Sequence, residues 1–327
     1  MKFSTPSLAR VTLATSLVLL TATIPPTSAA LKVEVFQPGE TGHYVNSGII
    51  ASSKEILIVD CQLSPIFGTR LAKRAKQYNL PVKAIYITHA HFDHMWGLQA
   101  VLKEFPGTPV YASQETVNKV TKESPTWLDP KLIRPFPHNL GMPTKIVIPT
   151  VWNQSTIELG GETIHLMQMG QGDTEHITAL DIPSSKGTTF RLWNARSKKD
   201  IRFVPSNGTF WGSDIVVSGI HFLMDEVESL ASRTAWIKNA RLARDHVKTN
   251  HRSVVPGHLD DSRKWTNDEM LDFPIEYVET YNEALKQGTV DKFWDVVMKK
   301  YANSSLLFLL DWSSSRFYES SRKTPVP

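Results

Sequence analysis

Thr88-His89-Ala90-His91-Phe92-Asp93-His94 places three imidazoles and a carboxylate within seven residues, directly behind the apolar run Ala84-Ile85-Tyr86-Ile87. Imidazole nitrogen and carboxylate oxygen are the ordinary ligands of Zn²⁺ and its first-row neighbours. A short apolar run of this kind reads as a buried strand, so the heptad lies at a strand's end. Residues i and i+2 there share a face, and His89 and His91 can converge on one ion. The Met95–Phe105 segment that follows has helical spacing, and a helix N-terminus favours anions. The heptad marks the chain as a metalloprotein.

Outward from the heptad, strands and helices alternate. Lys32–Phe36 and His43–Ser52 read as strands, and Ile56–Asp60 as a buried strand ending in a carboxylate. Pro65 suits a helix start, with Leu71, Ala72, Ala75 and Tyr78 at helical spacing until Asn79 and Pro81 stop it. Val82–Ile87 is a strand, Leu98–Phe105 a helix, Pro109–Tyr111 a strand and Gln114–Lys122 a helix. That order is α/β. A proline-rich insert near 124–144, carrying Trp127 and Phe136, breaks the pattern as lids do. Strands are expected over Lys145–Trp152, Thr156–Leu159, Glu162–Met169 and Ile177–Ile182, then a second insert near 183–211, a polar loop or small hairpin. Asp214–Val217 and Ser253–His258 read as strands. Glu226–Val247, Asp268–Gln287 and Val290–Tyr301 read as helices, and Ser313–Pro327 as a frayed end. With no internal repeat and no linker, residues 31–327 are expected to form a single domain.

The chain has 327 residues, ample to bury a core, and one cysteine, Cys61, so no disulfide framework supports it. Residues 1–30 read as a signal peptide: Lys2 and Arg10 form a basic start, Val11–Ile24 an apolar stretch and Ser28-Ala29-Ala30 a cleavage site. The expected route is secretion without stable membrane insertion. Asn153, Asn207 and Asn303 open three glycosylation sequons, consistent with an exported glycoprotein. The formal charge of +4, and no basic stripe, argue against nucleic acid as a partner and for a small-molecule substrate.

The heptad, in its place after a strand, resembles the His-x-His-x-Asp-His signature of the metallo-β-lactamase superfamily. Further segments are similar to that superfamily's later motifs in order: Gly170-Gln171-Gly172-Asp173-Thr174-Glu175-His176, then Gly212-Ser213-Asp214, then Val255-Pro256-Gly257-His258. Asp60 resembles its structural carboxylate. The resemblance implies an αββα sandwich, two mixed β-sheets packed face to face with helices outside. It implies two Zn²⁺ per chain, held by His89, His91, Asp93, His94, Asp173, Asp214 and His258, with Asp214 bridging ions about 3.5–4 Å apart. It also implies hydrolysis by a metal-bound hydroxide, with Asp93 orienting the nucleophile and returning a proton to the leaving group. No Gly-x-Ser-x-Gly elbow offers a rival mechanism.

At the third motif the chain departs from the pattern, which has histidine where Asp173 stands. Asp173 itself, His176 or His165 are the candidates for that ligand. A carboxylate there gives a harder site that admits Mn²⁺ or Fe²⁺ beside Zn²⁺. Trp127, His221 and Phe222 are candidate substrate contacts, with the inserts supplying most of the rest. Cys61 and Trp96 read as core, and His43 as the start of a strand with no role. A lactone, ester or thioester is the expected substrate. An iron-dependent oxidoreductase of the same fold, or a metal-binding protein without turnover, are the alternatives.

Overall fold

A computed structural model describes residues 1, 31–129, 141–183, 189–194, 200–203 and 207–323. The expected signal peptide, residue 1 apart, and Phe136 with most of the proline-rich insert lie outside the described residues.

The first half of the chain builds one sheet and the helices on its outer face. It runs β1 (Lys32–Gln37), β2 (Ser47–Ala51), β3 (Ile56–Val59), α1 (Pro65–Lys76), β4 (Val82–Tyr86), α2 (Phe92–Met95), α3 (Leu98–Glu104), β5 (Val110–Ala112), α4 (Gln114–Trp127) and β6 (Thr150–Val151). Helix starts follow ordinary capping chemistry: the Ser64 hydroxyl accepts from Phe67 N ahead of Pro65, and the Ser113 hydroxyl from Thr116 N. The second half supplies β7 (Thr156–Leu159), β8 (Glu162–Gly170), β9 (Ile177–Pro183), β10 (Thr189–Asn194), β11 (Asp200–Phe203), β12 (Gly208–Ser218), α5 (Leu230–Asn250), β13 (Ser253–Leu259), α6 (Asn267–Leu285), α7 (Val290–Tyr301) and α8 (Leu307–Lys323).

Two mixed sheets result, ordered β11-β10-β1-β2-β3-β4-β5-β6 and β13-β12-β9-β8-β7. Their inner faces meet through Val33, Leu57 and Tyr86 from one sheet and Ile164, Leu180 and Trp211 from the other. On the first sheet's outer face Ile58 and Ile85 bury against Phe67, Leu71 and Val101 of α1 and α3. On the second, Phe210 and Val216 meet Trp236, Val278 and Phe293 of α5, α6 and α7. The order helix, sheet, sheet, helix is the expected αββα sandwich. Strands buried on both faces explain why β3 and the Ala84–Tyr86 end of β4 read as unbroken apolar runs.

Several boundaries differ from the sequence expectation. The expected insert begins as helix, because α4 runs on through Pro125 to Trp127. The other insert takes the hairpin form of its two expected forms, β11 pairing antiparallel with β10; what the sequence did not indicate is that β10 also pairs parallel with β1 and so widens the first sheet. Of Lys145–Trp152 only Thr150–Val151 pairs, because its partner β5 is three residues long. His43 starts no strand: it ends a short 3-10 turn, Glu40–Gly42, in the left-handed region at φ 54°. The supposedly frayed C-terminus is α8, anchored by buried Leu309, Leu310, Ser313 and Ser314.

Candidate metal centre

Each loop at one end of the sandwich delivers part of a single cluster. His89, His91, Asp173 and Asp214 form one group, and Asp93, His94 and His258 a second, with the potential ligand atoms of each within 4.8 Å of one another. His89 and His94 are fully buried, and Asp93 nearly so. His91 sits in extended conformation just before α2, and α2 presents Asp93 and His94.

Asp60 is the strut behind the heptad. Positive φ at 57° ends its strand sharply, and its two oxygens accept from Thr88 N at 2.9 Å, Thr88 Oγ1 at 2.8 Å and His94 Nδ1 at 2.9 Å. That fixes the His94 ring with Nε2 turned into the cluster. His89 Nδ1 lies 3.0 Å from Thr88 Oγ1 and 3.2 Å from Ser213 Oγ, again leaving Nε2 inward. Such outer contacts set ring orientation and tautomer in metal sites.

The second sheet delivers the distant members. β12 shifts register against β13 on both sides of Ser213, and irregularities of this kind re-aim a side chain. Asp214 thereby reaches His258 Nε2 at 3.1 Å, His94 Nε2 at 3.4 Å and His89 Nε2 at 3.7 Å. Gly257 is required for this approach: a Cβ there would stand 1.7 Å from Asp214 Oδ1. His258 donates from Nδ1 to the His43 carbonyl at 2.6 Å, and its Nε2 lies 3.4 Å from Asp93 Oδ2.

Of the three candidates at the third motif, one is at the cluster. Asp173 Oδ2 is 3.2 Å from His91 Nδ1. His176 is about half exposed, with its ring beside Glu175, and His165 is exposed on β8 opposite Thr156.

Electrostatics separate these groups. Burial drives the Asp214 carboxyl up, but His94, His258 and His89 together hold it well below the usual carboxylate range. Burial raises Asp173 instead, and His91 only partly offsets it. Burial lowers the His91 imidazole, yet Asp173 and Glu226 outweigh that and raise it. His258 is likewise depressed by burial and raised on balance by Asp214 and Asp93. Among the described residues, buried His89 Nε2, Asp173 Oδ1 and both Asp214 oxygens have no hydrogen-bond partner. Buried polar atoms left unsatisfied cost free energy. Here they converge with four imidazoles and three carboxylates, the donor set of a divalent metal.

The cluster opens into a cavity of about 620 Å³ that Trp127 and Phe222 also line. His221 does not line it: the neighbouring side chain turns the other way, and its Nδ1 pairs with the Tyr277 hydroxyl at 2.9 Å in the core. Burial there lowers its pKa to about 4, so the role of substrate contact is withdrawn. His43, given no role from sequence, lines the cavity. Glu226 was also missed. It sits between β12 and α5, 3.3 Å from His91 Nε2 and bonded to Lys119 and Thr174. Burial pushes its carboxyl up, but His91 and Lys119 hold it well below the usual range. No motif flags Glu226, and only the fold brings it to His91.

Known proteins agree with this picture in part of the chain. Residues 41–178 match the family model of the metallo-beta-lactamase superfamily. A hydroxyacylglutathione hydrolase of Buchnera aphidicola subsp. Baizongia pistaciae is 35% identical over 65 residues, 20% of this chain and 24% of that protein. One from Tolumonas auensis is 30% identical over 83 residues, 25% of this chain and 30% of that protein. The matches thus span less than a third of these relatives' length. A solved metallo-beta-lactamase from Pontibacter korlensis is 17% identical, with a TM-score of 0.45 over 72% of this chain and 87% of that one. The matched segment covers the heptad and the Asp173 turn, the later motifs follow in order on the second sheet, and over residues 41–178 this chain is similar to the metallo-β-lactamase superfamily.

Proposed function

We propose that the chain is a metal-dependent hydrolase of a lactone, ester, thioester or related carbonyl substrate. The observation that carries this reading is the pair of ligand groups meeting at Asp214, with unpartnered buried atoms facing one cavity. His89, His91, Asp173 and Asp214 would hold one divalent ion, and Asp93, His94, His258 and Asp214 the other, with two Zn²⁺ as the expected occupants. When bound, such ions polarise a carbonyl and make water nucleophilic near neutral pH. Asp173, in place of a third histidine, makes the first group harder and open to Mn²⁺ or Fe²⁺.

The protein's own residues do the rest. Asp60 and the His43 carbonyl hold the rings of His94 and His258 from behind. Glu226 does the same for His91. Asp93 borders the cavity beside His258, where its carboxylate can orient the attacking water and pass a proton to the leaving group. Phe92, Trp96 and Phe222 line the cavity with apolar surface. The names of the two hydrolase relatives support an acyl substrate over a phosphodiester.

A screen of ester, lactone, thioester and β-lactam substrates on the metal-loaded chain, with elemental analysis, tests the reading. Chelator-sensitive hydrolysis that is lost in Asp93→Asn is expected; activity that survives that substitution overturns the mechanism. Export belongs to the same proposal. Asn153, Asn207 and Asn303 are all exposed, and no described helix is long and apolar enough to cross a membrane. Secreted material beginning at Leu31 and shifting in mass with a glycosidase is the expected result.

A further inference from the structure

The cavity has two unlike ends. One is the metal-binding cluster; the other is lined in part by α8, which lies outside the segment shared with the superfamily model. Phe308, Leu309 and Trp312 of α8 line the cavity, as do Phe92, Trp96 and Trp127. α8 is seated there by polar contacts with the loop before α5. Met224 N donates to Ser313 Oγ at 3.0 Å, and Asp225 Oδ2 accepts from Trp312 Nε1 at 2.8 Å and Arg316 Nη1 at 2.5 Å. Phe308 also packs on His43, with ring centroids 5.4 Å apart, and the His43 carbonyl holds His258. The apolar end is therefore continuous with the cluster.

Charge at the cavity argues about the occupant. Besides the ligand residues, Glu123, Glu175, Asp225 and Glu226 border the cavity, against Lys119 and Arg316. Lys119 is engaged by Glu226 and Glu123, and Arg316 by Asp225. An anionic tail meets more carboxylate than cation here, whereas a neutral apolar chain loses only water. A pocket of this size with one polar end suits a small molecule held mainly by apolar contact.

We propose that this end is an acyl subsite. It takes the neutral, apolar acyl chain of the substrate, and Phe308, Leu309 and Trp312 of α8 set the preference for chain length. The proposal rests on the carbonyl-hydrolase reading for its reaction but not for its binding. Full burial of one methylene is worth a factor of about four in binding, so chain length is a sensitive reporter.

Two measurements test it on the full chain. With metal loaded, kcat/KM for p-nitrophenyl acetate, butyrate and octanoate should climb with acyl length, and Phe308→Asp should lower the octanoate-to-acetate ratio about tenfold or more. Without metal, neutral n-alkanols from ethanol to octanol, followed by tryptophan fluorescence, should bind more tightly with length. Phe308→Asp should abolish that trend, while Leu242→Asp, on the exposed face of α5, should keep it. Rising alkanol affinity without any hydrolysis would sink the hydrolase reading and leave the subsite standing. Hydrolysis with a flat dependence on length in both series would overturn the subsite and leave the hydrolase.

Discussion

The turn at residues 170–176 holds Asp173 against one imidazole, His91, whereas the turn at residues 212–214 holds Asp214 among three. Both carboxylates come from the second sheet and both are buried. Their charge states are pushed in opposite directions: burial wins at Asp173, and the ring of histidines wins at Asp214. His91 is moreover shared with Glu226 on its other side, so Asp173 has the weaker claim on the imidazole it touches. Residue type and burial alone do not set the ionisation of a buried carboxylate; the number of imidazoles within reach does.

The sharpest break of this comparison is Asp214→Asn. Because Asp214 touches both groups, elemental analysis should find metal lost from both, and hydrolysis should fall by more than the 10–100-fold typical of supporting residues. Retention of one full equivalent would show that the two turns are interchangeable. Asp173→Ala should instead lose about one metal per chain, with activity down on the order of 10–100-fold, while His176→Ala keeps both metals. The reverse result would move the third-motif ligand to His176.

Glu226→Gln leaves the shape at His91 and removes the competing charge. Metal affinity measured by chelator competition should weaken about tenfold, and an unchanged value would mean that Glu226 merely pairs with Lys119. The smallest effect concerns protons in the chelated chain. Asp214 raises His258, so Asp214→Asn should lower the His258 ring pKa in NMR titration, and Asp173→Asn should lower it less. The sign for stability follows. A depressed carboxyl contributes stability that is present above the ordinary carboxylate range, about 3.9, and lost as pH falls through the folded value. The acid limb of the stability curve should therefore be shallower in Asp214→Asn.

Contiguous chemistry was legible from the residues. The heptad, the apolar strand β3, the apolar end of β4 and the amphipathic helices α6 and α7 announce themselves because ligand spacing and hydrophobic period are local properties. Legibility failed where tertiary contacts overrule local preference. α8 contains Ser313-Ser314-Ser315, poor helix formers, and is helical because Leu309, Leu310, Ser313 and Ser314 bury. The Glu226–Val247 reading began the helix too early: Ser229 caps α5, and Glu226 is left to face His91. His221 and Phe222 looked equivalent beside Asp214, but alternation sends one ring to the core and the other to the cavity.

Sequence alone determined that this chain presents a metal-ligand turn after a strand within an α/β fold, because those properties reside in neighbouring residues. Only the tertiary structure decided which of Asp173, His176 and His165 stands at the cluster, that Glu226 and His43 border it, and that α8 lines the cavity. Those facts depend on which strand ends and helix faces meet across the sandwich. No local pattern encodes a meeting between residues more than a hundred positions apart.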